Sequence, residues 1–183
     1  MGAEIGTQLI TVGATLSGVV LTLVTNAYLE RRRVRDAREL ESLRLESEQE
    51  KWLRDERVKA YAGLSLAGEE VLHFIRVELP KLTEPGRTDE RAGVEARWRE
   101  LRTELRKAYN QVELFGTETA RDLGRRMWRI ARNGGNDFLS TLSVAPENEP
   151  GRWELSKQLN ETASHLGSAG EAFLDACRQD LQG

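Results

Sequence analysis

Residues 94–115, VEARWRELRTELRKAYNQVELF, place Val94, Trp98, Leu101, Leu105, Ala108, Val112 and Phe115 at spacings of 4, 3, 4, 3, 4 and 3. That rhythm keeps one apolar stripe on a helix of 3.6 residues per turn and leaves Arg, Lys and Glu to the other faces. Thr88, Asp89 and Glu90 supply a start signal and Gly116 a stop, so a helix of about 27 residues is expected.

The same rhythm recurs on both sides. Val58, Tyr61, Leu64, Ala67, Val71 and Ile75 form an earlier apolar face, closed by Pro80 and the turn Glu84-Pro85-Gly86. Ala120, Leu123, Met127 and Ile130 mark a shorter helix, capped by Thr117 and broken at Gly134-Gly135. Residues 136–144 are expected to add a short helical piece and residues 146–151 a loop. Leu159, Ala163, Leu166, Gly170, Phe173, Cys177 and Leu181 line a last helix, whose Gly167-Ser168-Ala169-Gly170 run suggests close approach by a neighbour. Four such stripes joined by short links predict an all-α fold, with an antiparallel bundle of about four helices over residues 52–183. The composition agrees: 31% of the residues are charged and Pro occurs four times in 183.

The N-terminal part follows a different pattern. From Ile5 to Leu29 no Asp, Glu, Lys or Arg occurs. A helix of that length rises about 37 Å, enough to cross a hydrocarbon core. Thr7, Thr11, Thr15, Ser17, Thr22 and Thr25 moderate its hydrophobicity, but their hydroxyls can return to the helix's own carbonyls. A cleavable signal would need a positive start and a small-x-small site; here Glu4 precedes the run and Thr25-Asn26-Ala27 is a poor cleavage match. Arg31, Arg32, Arg33, Arg35 and Arg38 crowd the far end, so the positive-inside rule puts the N-terminus outside and the bulk of the chain in the cytoplasm. The expected organisation is a transmembrane anchor over 1–29, a charged juxtamembrane helix over 30–51 and a cytoplasmic helical bundle over 52–183.

Residues 30–60 contain neither Gly nor Pro and read as a continuation of the anchor helix. Residues 30–38 carry five Arg against two acids, and residues 39–50 five Glu against one Arg. Val34, Ala37, Leu40 and Leu43 start an apolar seam that Ser47 and Glu50 end, so a solvated stalk is expected rather than a coiled coil. Within the anchor, Gly2 and Gly6, Gly13 and Ser17, and Ala14 and Gly18 repeat the small-xxx-small spacing that lets membrane helices associate.

Three further stretches carry a resemblance. They are ERVKAYAGLSLAGEEVL, with Arg57, Tyr61 and Ala62; AYNQVELFGTETARDLGRRM, with Asn110, Val112, Leu114 and Gly116; and AFLDACRQDLQG, with Phe173, Arg178, Asp180 and Leu181. In these the chain resembles a group of small, uncharacterised bacterial single-pass membrane proteins of actinobacterial type, each with an N-terminal span and a cytoplasmic helical domain. Their closing motif reads Asp-Leu-Gly, and Gln182 intervenes here. The resemblance implies that architecture and no activity.

Few residues suggest chemistry. The net charge of −3 lacks the footprint of a duplex-binding protein, so nucleic acid is not an expected partner. The lone Cys177 sits in an apolar seam and reads as a small buried hydrophobe, and no thiolate metal centre can be built from one Cys. Glu70-Val71-Leu72-His73 has the Glu-x-x-His spacing of carboxylate-bridged di-iron bundles, but His165 provides no second copy, and His73 reads instead as a boundary residue with a satisfied hydrogen bond. No catalytic residue, metal or cofactor is therefore expected.

The sharpest polar feature is Arg121, Arg125, Arg129 and Arg132, on one face of the predicted helix over 117–133, with Arg126 beside them. Such a stripe can grip the phosphates of a lipid, a nucleotide or a nucleic acid; the plainer reading is a solvated face paired with acids on neighbouring helices. The expected function is a non-enzymatic interaction or scaffold protein at the inner face of the cytoplasmic membrane. It would hold the bilayer through residues 5–29 and bind a protein partner or itself. The alternative is a membrane-associated anionic-ligand or nucleic-acid module using the arginine stripe.

Overall fold

The computed structural model describes the backbone of residues 2–84, 90–142 and 149–182, and the side chains of Asn26 and of residues 28–84, 90–142 and 150–182. Among the described residues four α-helices follow one another: α1 (Gly2–Val77), α2 (Arg91–Phe115), α3 (Glu118–Leu142) and α4 (Glu149–Gln182). The described residues contain no strand. Two compact units divide at Lys51 and Trp52.

In the first unit, every described side chain from Tyr28 to Lys51 is exposed. Leu40, Leu43 and Leu45 are more than half exposed, and Arg44 pairs with Glu48 one turn on. The expected span at 5–29 lies, except for Asn26, Tyr28 and Leu29, outside the residues whose side chains are described. So do the small-residue pairs within it. Among the described residues no helix is long and apolar enough to cross a membrane.

In the second unit, α1 ends because Pro80 cannot continue it. The chain tightens instead into a 3-10 helix, Leu79–Thr83, with Pro80 in its first turn and Leu79 and Leu82 buried. Thr83 Oγ1 donates to the Pro80 carbonyl (2.7 Å), which satisfies a group that the break would otherwise leave open. The expected start signal at Thr88 and Asp89 lies outside the described residues. A two-residue link joins α2 to α3: the Gly116 N–H bonds the Val112 carbonyl (2.8 Å), and the Thr117 carbonyl accepts the first α3 bond, from Arg121 (2.9 Å). Pro150 stands in the first turn of α4, where its missing N–H costs nothing.

The packing is antiparallel between chain neighbours. Arg91 donates to the Leu139 carbonyl, Trp98 to Asn136 and Arg125 to Tyr109, which run α2 against α3. Arg57 reaches the Phe115 carbonyl while Phe74 stacks on Trp98, which runs α1 against α2. Arg54 and Tyr61 reach Leu181 and Asp180 at the end of α4. The core between the helices holds Leu64, Val71, Ile75, Trp98, Leu105, Val112, Phe138, Leu159 and Phe173, each at most 2% exposed. Such side chains stabilise a fold by about 1.5–3 kcal/mol apiece.

Three expectations are corrected. Gly134 and Gly135 do not break α3, which runs on to Leu142 and takes in residues 136–142 of the separate piece expected over 136–144; residues 143 and 144 lie outside the described residues. They are the points of closest approach: a Cβ on Gly135 would collide with the Trp98 indole, and one on Gly134 with Thr162 of α4. Conversely, Gly167 and Gly170 are not close-approach sites, since a Cβ there would meet nothing nearer than 3.7 Å and 3.8 Å respectively. Of the loop expected over 146–151, residues 149–151 instead belong to α4, and the rest lies outside the described residues.

Candidate functional site

The three stretches that carry the resemblance meet at one end of the bundle. Tyr61 is 3% exposed; its hydroxyl donates to Asp180 Oδ2 (2.7 Å) and accepts the Thr117 N–H (3.2 Å). Its ring packs edge-on against Phe173, at 5.8 Å between centroids. Arg57 donates to the Phe115 carbonyl (3.0 Å) and stands 3.7 Å from Asp180. Burial, and then the bond to Asp180, raise the Tyr61 pKa, so the neutral phenol is the stable form here. Gly116 is needed at this corner because a Cβ would lie 2.6 Å from the Val112 carbonyl oxygen. Arg57, Tyr61, Gly116 and Asp180 thus tie α1, the α2–α3 link and α4 together. Their arrangement is that of a polar clasp.

The four predicted arginines do not act alike. Arg125 is bound on three sides: Nε donates to the Tyr109 hydroxyl (3.2 Å), Nη2 to Glu113 (2.9 Å) and Nη1 to Asp122 (3.3 Å). Tyr109 in turn donates to Glu113 (2.6 Å). That bond, followed by the one from Arg125, lowers the Glu113 pKa, while burial raises that of Tyr109. Arg125 therefore closes an ion-paired network with α2. Among the described residues the Arg121 side chain donates only to the Thr117 carbonyl (3.4 Å), just before its own helix. Arg129 and Arg132 are exposed, and among the described residues neither has a hydrogen bond or an ion pair.

Sequence reasoning overlooked what stands opposite them. The Trp98–Asn136 bond and the approach of Arg106 to Trp128, at 5.3 Å from the ring centroid, fix the register of α2 against α3. That register sets Arg102 level with Arg132 and Arg106 level with Arg129. Arg102 donates to Asn136 Oδ1 (3.1 Å) and Arg106 to Asn110 Oδ1 (3.3 Å). The signal was present as Arg99, Arg102 and Arg106 at spacings of 3 and 4, but linking it to α3 required the interhelical register.

Glu70 and His73 are both exposed, beside an open groove of about 720 Å³ between α1 and α2 that Leu66, Phe74, Glu78 and Arg97 also line. His73 is thus a surface residue, not the hydrogen-bonded boundary residue expected. Among the described residues no three metal-ligating side chains gather. Cys177 is 4% exposed, and burial, with the nearby Asp180 charge, pushes its thiol up to about 12. It is buried in the core as a protonated thiol, not poised as a nucleophile. No family model, curated protein or solved structure matches the chain.

Proposed function

We propose that this protein is a non-enzymatic helical interaction module, tethered by residues 5–29 to the inner face of the cytoplasmic membrane, whose bundle binds a protein partner or a second copy. One observation carries the reading. Arg31, Arg32, Arg33, Arg35 and Arg38 are all exposed on α1, immediately after the uncharged run, where they face solvent and serve no packing role. Arginines so placed suit a topology-determining flank next to anionic headgroups. The tight core and the clasp at Tyr61 favour a rigid platform.

Cell fractionation tests the tether. The full chain is expected in the membrane fraction and resistant to alkaline carbonate, and deletion of residues 5–29 should move it to the supernatant. A full-length chain released by carbonate would refute the tether. Crosslinking in native membranes followed by mass spectrometry then identifies the partner.

A further inference from the structure

The α2–α3 seam holds positive charge in place without cancelling it. On either side of its middle, cations have carboxylates: Arg91 and Arg99 share Glu95, and Arg125 has Glu113 and Asp122. In the middle the partners change. Arg102 and Arg106 are held by the side-chain amides of Asn136 and Asn110, which fix a guanidinium but leave its charge intact, and Arg129 and Arg132 have no partner among the described residues. Arg106 also lies over Trp128, 8% exposed, so it is braced by the ring as well as by the amide. Glu113 feels the charge of Arg106, but it is already engaged by Tyr109 and Arg125.

We propose that Arg102, Arg106, Arg129 and Arg132 form a binding site for a compact ligand carrying two or more linked phosphate groups. Arg102 and Arg106 are one turn apart, about 6 Å along α2. The facing pair lies across helices whose axes pack about 8–10 Å apart. Two or three phosphates fit such a square, and planar guanidinium forks suit phosphate oxygens better than point charges do. At one end Glu113 and Asp122, two acids against Arg125 alone, repel a polyanion that runs on along the seam, and at the other Glu95 offsets part of the charge of Arg91 and Arg99. That limits the ligand to a short one and disfavours an extended nucleic-acid strand. A diphosphate lipid headgroup and a soluble polyphosphate share this chemistry. The site does not depend on the membrane tether.

The test uses the full chain purified in a neutral detergent and titrated calorimetrically with tripolyphosphate. Binding is expected, and Arg129→Gln with Arg132→Gln should weaken it by at least about tenfold, as the loss of charge-assisted bonds requires. Arg97→Gln with Arg178→Gln makes the same change in net charge on other faces and should leave binding within about twofold. Both pairs are exposed, so equal thermal melts of the two variants show that binding and not folding has changed. Cardiolipin doped into the micelles separates the sources: competition with tripolyphosphate assigns the site to a lipid headgroup, and its absence to a soluble phosphate. No tripolyphosphate binding, equal losses in the two pairs, or binding of an oligonucleotide alone would overturn the proposal.

Discussion

The indole of Trp98 fills the space that a side chain at position 135 would need. Its ring atoms stand where a Cβ of residue 135 would go, its Nε1 donates to Asn136 (3.0 Å), and the ring stacks on Phe74 at 6.0 Å, so one residue joins α1, α2 and α3. Gly135→Ala forces a methyl into that ring, and neither backbone nor indole can move aside cheaply. Destabilisation of about 1–3 kcal/mol or more is expected in urea unfolding, despite the better helix propensity of Ala.

Glycines elsewhere in the helices should behave in the opposite way. A Cβ at Gly63 would meet nothing within 4 Å, and one at Gly167 would make ordinary contacts with Arg76 and Leu72. Gly63→Ala and Gly167→Ala should each raise stability by about 0.5–1 kcal/mol, read as a higher urea midpoint at unchanged slope. Equal effects at positions 63 and 135 would contradict the packing described.

The contrast shows what the sequence could and could not disclose. The stripes around Leu64, Trp98, Leu105, Leu159 and Phe173 were readable because a helical period of 3.6 leaves a repeating signature in one segment. The role of Gly134 and Gly135 was not, because a glycine that breaks a helix and one that admits a neighbour look the same until the neighbour is known. Trp98 and Thr162 lie 37 and 28 residues away in the chain. The arginine stripe divided for the same reason: Glu113 and Tyr109 claim Arg125 from across the seam, whereas Arg129 and Arg132 stand level with Arg106 and Arg102 and have no partner among the described residues. Tyr109, itself buried, falls one position beyond the stripe counted through Ala108, since a helix drifts against a strict 3-4 alternation.

Alkaline pH should weaken the clasp. The folded-state pKa values of Tyr61 and Tyr109 are raised above the ordinary 10.0, so the folded chain binds more protons than the unfolded chain just above that value. Their contribution is complete below the ordinary tyrosine range and is lost as pH rises through the raised values. Tyr61→Phe should cost about 1 kcal/mol at neutral pH and flatten the alkaline decline. Urea midpoints of both proteins across that range provide the check. A parallel decline in the two would remove Tyr61 as a cause.

Cys177 should be inert while the chain is folded. With its thiol pushed up to about 12 and only 4% of its surface exposed, it offers almost no thiolate at neutral pH. A chromogenic disulfide reagent should report no rapid thiol in native buffer and one thiol per chain in denaturant. Rapid labelling of the native protein would show that the α4 seam opens.

The proposed tethered module would carry its bundle on the cytoplasmic side of the membrane. A topology reporter pair fused after Gly183, one partner active only in the cytoplasm and the other only outside it, measures this directly. The tethered-module reading predicts signal from the cytoplasmic reporter alone, with charge reversal at Arg31, Arg32, Arg33, Arg35 and Arg38 shifting chains towards the other orientation. Signal from the external reporter in the unaltered chain would contradict it.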